Sequence, residues 1–201
     1  MPGSWIVVAV AALLGFFVGA VNPATIIATT RHADLRQGSG NPGATNVGRV
    51  LGVRWGVVVG LLDVLKGLVP TMLALWLVDR STAYAVGLAC VLGHVLSPFL
   101  RGRGGKGVAT SMGAILAVFP LFALGMLLVF GLMLWRTRWV AGSSLTAAGL
   151  LVLYAGLAPT GGLVGLPEPV TAGRLWGICI ALLVIVRHHG NIRAWVHRRL
   201  A

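Results

Sequence analysis

The chain has 201 residues, 57% hydrophobic and only 10% charged, with a mean hydropathy of +0.92. A soluble domain carries about 25% charged residues, so most of this surface meets lipid, and the length admits a single membrane domain over 1–201 with no separate soluble domain. Sixteen Lys and Arg against four acids leave a net charge of +12; because the bases lie in short loops between apolar runs, the partners implied are the lipid bilayer, anionic headgroups and phosphorylated substrates, with no nucleic acid.

Apolar runs predict spans over 5–28, 56–78, 82–100, 108–119, 120–135, 139–158 and 171–187. The fold expected is an all-α integral membrane protein, a seven-helix bundle with a pair of short central helices. The first run lacks a basic n-region and exceeds the 7–15 apolar residues of a signal peptide, so it reads as a retained first span. Between the first and second runs lies Gly38-Ser-Gly-Asn-Pro-Gly-Ala-Thr-Asn-Val-Gly-Arg49, rich in glycine, hydroxyl and amide and free of carboxylate. Glycines let backbone N–H groups approach an anion, and Ser39, Asn41, Thr45, Asn46 and Arg49, with the amides of Gly40 and Gly43, complete a cage of donors. The segment also matches G-x-G-x-x-G, with Asp63 near the distance of a dinucleotide fold. A span and a charged loop precede it in place of a strand, which rejects that reading.

Asp63 and Lys66 stand three residues apart on one helical face inside the second run, the pattern of an intramembrane ion pair. In the third run His94 precedes Ser97-Pro98 and has two open readings, a packing residue or a donor to substrate. Arg101-Gly-Arg-Gly-Gly-Lys-Gly107 follows; it is no P-loop, but Gly104, Gly105, Lys106 and Gly107 lead into a helix starting near Val108, and a helix N-terminus favours anions. Phosphate binding and contact with lipid headgroups both stand open for it.

Residues 108–135 are too few for two full crossings. Pro120 divides them into two short helices that enter and return, or kinks one span. Loop charge chooses the first: it puts thirteen of the sixteen bases on one side, Arg80 and Arg174 on the other and Lys66 within a span. The positive-inside bias then sets the N-terminus outside and the C-terminus in the cytoplasm, with both glycine-rich segments and the His188–Asn191 tail on the cytoplasmic side. Trp5, Trp55, Trp76, Trp135, Trp139 and Trp195 fall near predicted span ends, and Gly15/Gly19, Gly56/Gly60 and Gly173/Gly177 have the spacing of close helix packing. Cys90 and Cys179 lie in apolar runs as small core residues. His188 and His189 are adjacent, so they point apart on a helix and suit hydrogen bonding more than ligation. With only Asp34, Asp63, Asp79 and Glu168 as acids, no carboxylate cluster for Mg²⁺ over a diphosphate can be assembled, and neither metal nor other cofactor is expected.

Three segments together resemble the bacterial acyl-phosphate:glycerol-3-phosphate acyltransferase family of the PlsY type. They are Ser39–Arg49, Gly93-His94 with Gly102–Thr110, and Arg187–Ile192; Asp63-Val-Leu-Lys66-Gly67 fits as well. The chain departs from the family pattern at Gly190, where an acid is usual, and at Arg103, where Lys is usual. The resemblance implies a seven-helix inner-membrane enzyme, active on the cytoplasmic side, that makes lysophosphatidic acid from acyl phosphate and glycerol 3-phosphate. It places Ser39, Arg49, Lys106, Ser144, His188 and Asn191 on catalytic or substrate-binding positions.

An acyl phosphate is a mixed anhydride with a good leaving group, so such an enzyme needs positioning and charge neutralisation more than a strong base. The commoner His-x-x-x-x-Asp acyltransferase design is missing, since His94 reaches Phe99 and His188 reaches Arg193. The alternative from another class is a membrane transporter of phosphate or an organophosphate, which the same donors would serve.

Overall fold

The computed structural model describes residues 4–157 and 170–200; Glu168 and the end of the sixth predicted run, at 158, lie outside them. Among the described residues there are ten α-helices and no strand: α1 Trp5–Ala20, α2 Pro23–Thr30, α3 Ala44–Leu51, α4 Val53–Leu77, α5 Arg80–Val95, α6 Val108–Val118, α7 Pro120–Thr137, α8 Val140–Leu157, α9 Val170–Arg187 and α10 His189–Leu200. All seven apolar runs are helical. The three additional helices come from a break in the first run, a short helix in the glycine-rich segment and a helical tail.

The first run is the single span expected, Trp5–Thr30, with a break inside it. Pro23 has no N–H to donate and pushes the residue before it out of helical geometry; Asn22 accordingly sits at φ −114°, ψ 100°, and its side-chain oxygen caps α2 by accepting from Thr25 N at 2.8 Å. The central pair is also unequal. The break falls at Phe119 as expected, yet only α6, with 11 residues, is short; α7 has 18 and is long and apolar enough to cross a membrane. The run at 171–187 passes into the tail helix with a 51° bend.

Backbone packing divides the chain into two compact units, one ending at Pro120 and one beginning at Leu121. In the first, α1 packs on α5, and α4 packs on α3, α5 and α6. Small residues make these contacts, as in membrane bundles where lipid provides no hydrophobic drive and close backbone approach must replace it. A methyl group at Gly67 would strike the carbonyl of Thr110, and one at Gly113 would strike the carbonyl of Val64, so neither side of the α4–α6 crossing admits a side chain. Gly15 and Gly19 likewise face Val86 and Cys90, as their spacing predicts. The buried apolar set is mostly Ala and Val, whereas Leu13, Leu61, Leu65 and Leu73 point outward, where lipid covers them.

In the second unit α8 packs on α9, with Gly177 against Leu151 and Ala155, and Phe122 of α7 stacks on Tyr154 of α8 at 4.1 Å between ring centroids. Cys90 is buried as expected, but Cys179 is exposed, because it lies on the outward face of α9. Trp5, Trp76 and Trp135 are exposed near helix ends, the place of interfacial aromatics.

Candidate active site

In the first unit the glycine-rich segment curls around one carbonyl. Leu35 O accepts from Gly38 N at 3.3 Å, from Gly40 N at 3.1 Å and from Asn46 Nδ2 at 2.8 Å. Asn46 Oδ1 accepts in turn from Ser39 N at 2.6 Å. The amide of Asn46 is thus engaged at both ends inside the segment, and the residue is 1% exposed. Asn46 thereby shapes the cage, and Ser39, Thr45 and Arg49 are exposed on it. The segment then enters α3 at Gly43, where no side chain caps the helix. An uncapped N-terminus leaves backbone N–H groups open to an anion. Just before the segment, Arg36 grips Asp34 through Nε at 3.0 Å to each carboxylate oxygen, and this hydrogen bonding holds the Asp34 carboxyl below its ordinary value. The one acid beside the cage is thereby neutralised.

The cage stands on the break in the first run. Asn22 Nδ2 donates to Pro42 O at 3.0 Å. The break frees two carbonyls, and both find distant donors: Ser97 Oγ donates to Ala20 O and Lys66 Nζ to Val21 O, each at 2.7 Å. Lys66 also lies 2.9 Å from Asp63 Oδ1, an ion pair with both side chains buried. His94 Nδ1 is 3.4 Å from the same oxygen, beyond a well-aligned hydrogen bond.

His94 also supports the second glycine-rich segment. Gly105 N donates to His94 O and Gly104 N to Val95 O, each at 3.1 Å. A methyl group at Gly104 would strike these carbonyls, and one at Gly105 would strike the imidazole, so glycine is required at both. His94 is 4% exposed beneath the segment, where it packs against Gly105. Lys106 is half-buried, and Gly107, at φ 82°, enters α6 with no side-chain cap. Both glycine-rich segments therefore end in open helix N-termini.

In the second unit Ser144 lies near the start of α8, 3% exposed, its hydroxyl donating to Val140 O at 2.9 Å. That leaves the oxygen as an acceptor. His188 stands at the α9–α10 junction, 2% exposed, with Nδ1 2.7 Å from Val184 O. A carbonyl only accepts, so Nδ1 carries a proton. Asn191 follows in the first turn of α10, half-buried, and His189 is exposed with Nδ1 3.1 Å from Val186 O. The start of α8 meets α10: Trp139 stacks on Trp195 at 6.0 Å, and a cavity of about 290 Å³ opens between Trp139, Gly142, Thr146, Ile192 and Trp195.

The family model for glycerol-3-phosphate acyltransferase matches residues 9–198. The chain is 40% identical over 184 residues to a glycerol-3-phosphate acyltransferase of Aquifex aeolicus, covering 90% of this chain and 91% of that protein. With its counterpart in Geobacter sulfurreducens it shares 42% identity over 183 residues, 90% of this chain and 89% of that one. Two crystal structures of PlsY, an integral membrane glycerol 3-phosphate acyltransferase, superpose with TM-scores of 0.82 (glycerol 3-phosphate form) and 0.83 (lysophosphatidic acid form). Both are 36% identical and cover 96% of this chain and 93% of theirs. The chain belongs to the glycerol-3-phosphate acyltransferase family. It is a multi-pass membrane acyltransferase, and the transporter reading is set aside.

Within this acyltransferase the residues predicted from sequence fall into two groups. Ser39, Gly40, Asn41, Gly43, Thr45, Arg49, His94, Gly104, Gly105, Lys106 and Gly107 belong to the first unit, where the chain Pro42–Asn22–Val21–Lys66–Asp63–His94 links their two segments. Ser144, His188 and Asn191 belong to the second, on elements that meet at the Trp139–Trp195 stack. Sequence reasoning missed Asn22 and gave Ser97 no role. The signal available was Asn22-Pro23 inside an otherwise apolar run, a pair that favours a turn.

Proposed function

We propose that the enzyme transfers an acyl chain from an acyl phosphate to the 1-hydroxyl of glycerol 3-phosphate on the cytoplasmic face of the bacterial inner membrane, with the N-terminus outside. The products are lysophosphatidic acid and inorganic phosphate, the first step of phospholipid synthesis. One observation carries the reading: two glycine-rich segments, each closing on an uncapped helix N-terminus, bear Ser39, Arg49 and Lys106, with the one neighbouring acid neutralised. Two such segments suit two phosphorylated substrates. The forms in which PlsY has been solved name the acceptor and the product.

The hydroxyl oxygen attacks the acyl carbonyl carbon. The new ester C–O bond forms as the anhydride C–O bond breaks, and phosphate departs with the bonding electron pair. Lys106, Arg49 and the glycine N–H groups hold the phosphates; Ser39, Ser144 and Asn191 orient the hydroxyl and carbonyl. The hydroxyl proton passes to the departing phosphate. His188 is a hydrogen-bonding residue in this scheme, its Nδ1 proton held by Val184 O.

Purified protein in detergent micelles, given palmitoyl phosphate and labelled glycerol 3-phosphate with EDTA and without acyl-CoA, is expected to release labelled lysophosphatidic acid. Product that appears only when acyl-CoA replaces palmitoyl phosphate would overturn the donor assignment.

A further inference from the structure

Asn22 carries two separable hydrogen bonds. Its side-chain oxygen accepts from Thr25 N and caps α2, while its side-chain nitrogen donates to Pro42 O, twenty residues away at the centre of the glycine-rich segment. The residue is 5% exposed, so neither bond has water as an easy substitute. Pro42 separates Asn41 from Gly43, the cap of α3, and a shift of its carbonyl moves the N-terminus that the segment presents. Asn22 is itself held. The preceding carbonyl, Val21 O, is gripped by Lys66, which is fixed by Asp63; one residue earlier, Ala20 O is gripped by Ser97. The backbone that carries the Asn22 carboxamide is thus anchored from α4 and from the end of α5, and the carboxamide passes that position on to the cage.

We propose that Asn22 is a positioning residue of the acyltransferase, its carboxamide setting the place of the glycine-rich segment and thereby the affinity for glycerol 3-phosphate. The proposal rests on the reading that this segment holds a phosphate group of the substrates. Glycerol 3-phosphate is the sensitive partner because a small polar molecule has only such donors to hold it. An acyl phosphate also gains from burying its chain, at roughly 0.8 kcal/mol per CH₂.

The two bonds allow a clean test. Asn22→Asp keeps the acceptor for Thr25 N and loses the donor to Pro42 O; Asn22→Ser also keeps a capping oxygen, is too short to reach Pro42 and adds no charge. Both variants leave Pro42 O without its donor and are expected to melt somewhat below the wild type, Asn22→Asp the lower of the two, yet to fold, to raise KM for glycerol 3-phosphate by about tenfold and to leave KM for palmitoyl phosphate within about twofold. Amide hydrogen exchange over residues 38–46 is expected to quicken in both. A purely structural role would reduce the active fraction, lowering the maximal rate at constant KM, and that result overturns the proposal. So does a raised KM in Asn22→Asp alone, which would trace the effect to the new carboxylate. Wild-type protein that makes no lysophosphatidic acid from palmitoyl phosphate refutes the proposed reaction. The exchange measurement still decides the tether in that case: unchanged rates over 38–46 sink it, and faster rates uphold it.

Discussion

Two of the helix breaks, at Ala20–Pro23 and at Arg187–His189, are repaired in different ways. At Ala20–Pro23 the carbonyls freed by the break are satisfied from a distance, by Ser97 and Lys66, which lie seventy-seven and forty-five residues further along the chain. At Arg187–His189 the repair includes bonds close in sequence: His188 Nδ1 bonds to Val184 O, His188 N donates to Ile185 O at 3.0 Å, and Ile192 N donates to His188 O at 3.0 Å. The first break is a tertiary object and depends on the packing of α1 with α4 and α5. The second carries bonds between residues within four positions of one another. Both lie beside residues assigned to the reaction, since broken helices provide backbone groups and helix ends where a regular span offers neither.

The comparison is most vulnerable at Lys66. Lys66→Met removes the donor to Val21 O and leaves Asp63 buried without its partner, so thermal unfolding in detergent should show a loss of roughly 3–5 kcal/mol. Replacing both residues of the pair with apolar ones should recover much of it, and an undiminished loss in the double variant would mean the ion pair is not the source. Ser97→Ala comes next: an unsatisfied Ala20 carbonyl should cost about 1–3 kcal/mol by the same measurement. At the second break, His188→Asn keeps a nitrogen able to donate to Val184 O but removes part of a fully buried ring, and stability should fall by about 1–2 kcal/mol. The same variant reports on the proton. With the departing phosphate as acceptor, turnover should fall by less than the 10²–10⁴-fold expected from losing a general base, whereas a larger fall with both substrates still bound points to the imidazole.

The smallest effect is expected at Asp34–Arg36. The Asp34 carboxyl is held low by Arg36, so the pair stabilises the fold above the ordinary carboxylate range and its contribution fades as pH falls through the lowered value. The pair is exposed and screened. Arg36→Ala should leave the melting temperature at neutral pH nearly unchanged and flatten only its slope below about pH 4.

The two glycine-rich segments, the ion pair at Asp63–Lys66 and the seven apolar runs were all legible, because each is a local pattern: composition, a spacing of three, a stretch of uninterrupted hydropathy. The break at Asn22 was announced by Pro23, and it lies inside a run that is one span, as its hydropathy predicts. Composition places Asn46 among the donors and does not say which way an amide points; its two bonds, to Leu35 O and Ser39 N, exist only once the segment closes on itself. Thr137 lies two residues past the expected end of α7, and those residues help to turn a short helix into one long enough to cross.

By itself the sequence determined that this is a multi-span membrane protein with two glycine-rich segments and almost no acids, since hydropathy and charge are properties of the residues wherever they fold. Tertiary structure alone decided which donors answer the broken carbonyls. A hydrogen bond between residues forty-five or seventy-seven apart requires a side-chain donor of one helix brought within 3 Å of a carbonyl on another, and here small residues at the helix crossings allow that approach.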